Sequence, residues 1–261
     1  MFERRELDGE LAAVRAEHAP EALVFDTDSD FETLAPAQAE QLGLVVDALD
    51  PASYPAAWLP ADAPELLREY AGGEFTIGLP GDGSVAWTRQ TTPPVVLVKP
   101  RVEGSPESFV DFLIAEALVR AGSDASESFL PFFGERYREL AAAGTEAGLG
   151  PTGVYQLANA LYEGWVGLET RDTFAGWLTA HPDLGAAWQD AGSRLEGRVS
   201  DLPTALARGS TTFPEAAELA CSALKHAIEV PAPFDALDAE VYRDRGAEYA
   251  VAWAERTLDS L

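Results

Sequence analysis

The stretch "PESFVDFLIAEALVRA", residues 106 to 121, limits the fold more than any other. Phe109, Val110, Phe112, Leu113, Ile114, Ala117 and Leu118 make a helix here apolar nearly all round, so this segment should be buried against something else. The residues just before it supply a partner. Phe75–Leu79, Ser84–Gln90 and Val95–Val98 alternate with a period of two, and Pro80-Gly81-Asp82-Gly83 and Thr91-Thr92-Pro93-Pro94 separate them as turns. The economical reading is a small antiparallel β-meander at about residues 74–99, followed by an all-helical part. The fold class expected is α+β, predominantly helical.

Other elements follow from spacing. Leu7, Leu11 and Val14 predict a helix over 2–18, residues 22–25 a short strand, and residues 36–49 a second helix. In "DPASYPAAWLPADAPE" four prolines within sixteen residues forbid a long helix. Further helices are predicted near 127–143, 152–164, 172–180, 184–198, 214–229 and 235–259, with Tyr242, Gly246, Tyr249, Trp253 and Thr257 on one face of the last. This gives an α+β part over 1–102 and a helical part over 103–261, in two domains or one continuous one.

Composition sets the surroundings. Of 261 residues 44 are acidic and 18 basic, a net charge of −26, and only Lys99 and Lys225 are lysines. Such a charge repels itself unless salt screens it, and it opposes contact with nucleic-acid phosphate. The charged N-terminal residues lack the apolar run of a signal peptide, and no stretch reaches the length of a membrane span. One cysteine, Cys221, fits a reducing interior and reads as a buried thiol on an amphipathic helix. An acid-coated, lysine-poor, alanine-rich chain resembles the cytosolic proteins of halophilic archaea. The resemblance is compositional, spans the whole chain, and implies a cytoplasm of molar salt.

The stretch "LVFDTDSDFETLAP" raises the question of chemistry. A calcium loop counted from Asp26 fails, because it needs Gly at its sixth position and Glu at its twelfth, where Phe31 and Ala37 stand. "LVFDTD" resembles the first motif of haloacid-dehalogenase-like phosphatases. That resemblance implies Asp26 as nucleophile, Asp28 as general acid/base and Lys99 of "VLVKP" as the phosphate-neutralising lysine. The chain departs from the pattern at Asp30, where Thr or Val belongs, and no later strand ends in paired carboxylates. The reading preferred from the residues is plainer: Ser29-x-x-Glu32 as a capping box and the aspartates as a hydrated lead-in to a helix.

No catalytic residue, metal ligand set or cofactor motif is assigned; His18, His181 and His226 stand far apart along the chain. Arg89, Lys99 and Arg101 lie in an acid-free window and form a candidate anion-binding group. Phe132, Phe133, Arg136 and Arg138 crowd a predicted helix start and form a candidate partner-binding surface. "HPDLGAAWQDAGSRL", residues 181–195, resembles the first helix of a tetratricopeptide repeat, which implies helix-hairpin packing through Trp188, Gly192 and Leu195. The function expected is a salt-adapted, cytosolic binding or adaptor protein with a protein partner and salt counter-ions. It would have no nucleic-acid or membrane contact. The alternative is a metal-dependent phosphoryl hydrolase using Asp26 and Asp28.

Overall fold

The computed structural model describes residues 2–260. In chain order its elements are β1 (Phe2–Arg4), α1 (Gly9–His18), β2 (Leu23–Thr27), α2 (Pro36–Ala39), β3 (Ala48–Leu49) and α3 (Glu65–Ala71). Next come β4 (Val85–Thr88), β5 (Thr91–Thr92), β6 (Val95–Val98) and α4 (Glu107–Gly122). The helical run comprises α5 (Phe129–Phe133), α6 (Tyr137–Glu146), α7 (Pro151–Ala180), α8 (Pro182–Ser200), α9 (Leu202–Ala207), α10 (Phe213–Leu224), α11 (Glu240–Arg245) and α12 (Ala247–Leu258). The fold is α+β and predominantly helical.

Two compact units do not follow chain order. The first holds residues up to Ala56, Glu65–Glu127 and His181–Ala187; the second holds Ala57–Pro64, Ser128–Ala180 and everything from Trp188. The helix after the sheet therefore belongs with the sheet, whereas spacing alone puts the junction near residue 102.

In the first unit four strands form a mixed sheet in the order β1-β2-β6-β4. β6 is central, buried along its whole length, and reads as an unbroken apolar run because both of its faces are covered. It pairs antiparallel with β4 and parallel with β2. On one face Phe25, Val95, Leu97 and Ala86 meet Phe31, Leu34, Ala39, Leu42, Phe75 and Ile77. Val96 and Val98 alternate to the other face, and α4 packs on β4 and β6 and against α1. Gly122, at the end of α4, touches the carbonyl of His18 so closely that a Cβ there would overlap it at 1.8 Å.

Several expectations change. The three-stranded meander is an antiparallel pair within a mixed sheet: Phe75–Leu79 makes only the bridge from Ile77 to Leu34, and Leu23–Thr27 takes the third place in parallel. Residues 2–4 are strand, not the start of α1. The helix predicted over 36–49 is α-helical only to Ala39 and tightens to a 3-10 helix over Glu40–Leu44, and Ala48 and Leu49 pair with β5 instead.

In the second unit the helices predicted near 152–164 and 172–180 are one helix, α7. It packs along α10, where Gly164 leaves room for the Cys221 side chain and Gly167 for Lys225. The helix predicted over 235–259 breaks at Gly246, whose φ of 48° lies in the left-handed region and lets the Phe132 ring approach.

Candidate functional site

The parallel register Asp26↔Val98 brings the acidic loop and Lys99 to the same end of the sheet. Ligands of open α/β sheets gather at such carboxyl ends. Arg5, just past β1, reaches across β2: its Nε donates to both Asp26 oxygens at 3.1 Å and its Nη2 to Oδ1 at 2.7 Å. Thr27 Oγ1 donates towards the Ser29 carbonyl, 3.1 Å away, with the Val98 carbonyl at 3.3 Å. Arg101 gathers the rest of the loop. Its Nε donates to Asp30 Oδ1 at 2.7 Å, and its Nη2 to Glu32 Oε1 at 2.8 Å and to the Phe31 carbonyl at 3.0 Å. The guanidinium holds the Asp30 carboxyl below its ordinary range.

Lys99 is wholly buried, with its Nζ 4.6 Å from the centre of the Phe31 ring. Burial pushes its pKa down, opposed by the charges of Asp82, Glu32 and Asp30 and reinforced by that of Arg101.

The loop therefore does not cap a helix. α2 starts at Pro36 behind Ala35 with no side-chain cap, and the loop's acids are matched mainly by arginines. Asp30 Oδ1 takes one backbone donor, the N–H of Phe31, and Glu32 Oε2 another, that of Gly81. Replacing Asp26 and Asp28 together by Asn keeps an oxygen for Arg5 but removes its counter-charge. The Arg5–Asp26 pair is partly exposed, so the double variant should melt only slightly lower than wild type in thermal melts at high salt. A loss beyond about 3 kcal/mol would mean that this pair is a structural keystone.

A family model described as "Family of unknown function (DUF7089)" matches residues 1–261, the whole chain. The chain belongs to this family. No curated protein and no solved structure matches it.

In this DUF7089 member the anion group does not assemble. The register Val85↔Val98 and Thr88↔Val95 sets Arg89 beyond one end of the sheet and Lys99 and Arg101 beyond the other. Arg89 lies over the Trp87 ring and gives its guanidinium to the carbonyls of Ser123 and Ala125. Of the aromatic candidates, Phe133 is core, while Phe132 is half-buried between Phe133, Tyr162 and Trp165. Arg136 and Arg138 are exposed; Arg136 pairs with Glu139 at 3.5 Å, and Arg138 reaches the Ala57 carbonyl at 3.4 Å. The Cys221 thiol is buried and pushed far up by that burial.

Two histidines distant in sequence do meet. His18 Nε2 and His181 Nε2 flank the Glu17 carboxylate at 3.8 and 4.0 Å, next to Glu10, which accepts the N–H groups of Asp183 and Leu184 at the start of α8. Among the described residues no group of three His, Cys, Asp or Glu side chains is placed to hold a metal ion. A further group gave no signal in the sequence. Glu127, in "SDASESF", accepts from Thr88 Oγ1 at 2.8 Å, from the Arg89 N–H at 2.9 Å and from Gln90 Nε2 at 2.9 Å. Burial pushes its carboxyl up despite the three donors.

Proposed function

We propose that this protein binds a partner by surface contact in a salt-rich cytoplasm and carries no catalytic machinery of its own. The main support is the state of the acidic loop. A carboxylate that attacks phosphorus needs electron density and a free approach, and the Arg5 guanidinium draws on both oxygens of Asp26 and stands against them. The net charge of −26 supports screening by salt and disfavours nucleic acid as a partner. Among the described residues no helix is long and apolar enough to cross a membrane.

A contact surface would be sought first where apolar side chains stand in water. Leu44 is 87% exposed, with Val45 beside it. The resemblance of α8 to a tetratricopeptide-type helix fits a packing role: Trp188 is buried and donates to the Lys225 carbonyl, and Gly192 leaves space for the His226 side chain.

The hydrolase reading keeps one observation in its favour, namely Asp26 and Lys99 at the same end of adjacent parallel strands. One experiment separates the two. The purified protein in molar KCl with Mg²⁺ should not turn over p-nitrophenyl phosphate, and affinity purification at native salt should retain a partner that Leu44→Asp releases. Turnover that disappears in the Asp26→Asn, Asp28→Asn variant would establish the hydrolase instead.

A further inference from the structure

Lys99 leaves β6 with its ammonium inside the protein, and among the described residues its Nζ has no hydrogen-bond partner. An ammonium has three donors and no acceptor capacity of its own, so burial without partners is costly, and the Phe31 ring face offsets only part of that cost. Phe31, directly over it, belongs to the core cluster on the sheet, whereas the acids on either side of it are exposed. Phe31 sits between Asp30 and Glu32, and Arg101 binds both carboxylates and the Phe31 carbonyl. A second turn rests on the first: Gly78, at φ 80°, lies so close to the Glu32 carbonyl that a Cβ would come within 2.8 Å, and the Gly81 N–H donates to Glu32 Oε2 at 3.3 Å. The Asp30 and Glu32 side chains are about half exposed, and ion pairs of that kind hold weakly.

We infer that residues 28–33 form a cover, fastened by Arg101, that opens as a local unit and brings the Lys99 ammonium into water while the sheet stays folded. Besides Arg101 and the packing of Phe31, the Leu34 N–H to the Ile77 carbonyl and the Gly81 N–H to Glu32 tie it to residues 77–81, and neither bond belongs to the β2–β6 ladder. Closed, the cover hides one of only two lysines in a strongly acidic chain. Open, it presents a cation at the carboxyl ends of β2 and β6, where an anionic group of a partner can meet it. The device is independent of whether the protein binds or catalyses.

The test is amine labelling followed by mass spectrometry, in molar KCl, with the half-exposed Lys225 as internal reference. Lys99 should label more slowly than Lys225, at a rate insensitive to low denaturant, as local openings are. Arg101→Ala should speed Lys99 labelling roughly tenfold, equivalent to about 1.4 kcal/mol, without faster hydrogen exchange at Val96, Leu97 and Val98. The milder Asp30→Asn, Glu32→Gln variant should act in the same direction, and it decides the matter if Arg101→Ala does not fold. Lys99 labelling that follows global unfolding in wild type and variants alike, or that ignores the loss of Arg101's partners, would overturn the inference.

Discussion

Glu127→Ala should lower stability by about 3 kcal/mol, and with it the melting temperature by roughly 6–12 °C. The carboxylate takes hydrogen bonds from three consecutive residues, Thr88, Arg89 and Gln90. Gln90 carries the connection further, accepting from the Ala52 N–H at 2.8 Å and donating to the Thr76 carbonyl at 3.0 Å. Truncation leaves the Thr88, Arg89 and Gln90 donors without their shared acceptor. The figure sits at the low end of the range for broken buried networks because removing a partly dehydrated charge returns some of the loss.

Glu127→Gln, which keeps one oxygen, should fall between. Its pH dependence has a definite sign. Since the folded-state pKa lies above the ordinary 4.5, the native protein binds this proton more tightly than the unfolded chain. The stability the group contributes is fully present below about pH 4.5 and is lost as pH rises through the folded value. The advantage of wild type over Glu127→Gln should therefore shrink as pH rises from about 4.5. A constant difference would mean that the carboxylate is not in dry surroundings.

The largest effect expected is that of salt. Between 0.1 and 2 M KCl the melting temperature should rise by on the order of 10 °C or more, with partial unfolding at the dilute end. Forty-four acids against eighteen bases leave twenty-six without any basic counterpart, and arginines such as Arg5, Arg101, Arg171 and Arg243 are already committed to pairs. The screening length falls from about 10 Å to about 3 Å between 0.1 and 1 M salt, which removes repulsion between neighbouring carboxylates. Replacing the exposed Glu40, Glu146, Glu196 and Glu255 by Gln should lessen the salt requirement. Equal melting temperatures in dilute and molar KCl would end the salt-adaptation proposal.

What the sequence made legible is what local spacing controls. α4 and α8 stand within about two residues of their predicted positions, and Val95–Val98 is a strand as read, though its burial on both faces is not announced by a period of two. Pairing is a different matter, because nothing between residues 27 and 95 announces that β2 joins β6 in parallel. Helix breaks were missed where glycine was read as an ordinary face residue, as at Gly246. At the candidate site the acid-free window holding Arg89, Lys99 and Arg101 is legible, but the fate of each charge is not: Arg101 is taken by Asp30 and Glu32, while the Lys99 ammonium lies against the Phe31 ring. Phe133 was offered as surface and is core, since a helix start can still be covered by other elements of its unit. Glu127 was invisible because its donors lie some 37–39 residues away.

The joining of Leu23 to Val95 also bears on synthesis. At ~5–20 residues per second a ribosome needs roughly 4–14 s to travel from one strand to the other. Throughout that interval Leu23, Val24 and Phe25 have no β6 to pair with, and an unpaired apolar strand is a seed for aggregation. On one side of it stands Glu21, on the other Asp26, Asp28 and Asp30. Before they meet any arginine, these acids can act as gatekeepers that keep the nascent chain apart from its neighbours on the same polysome.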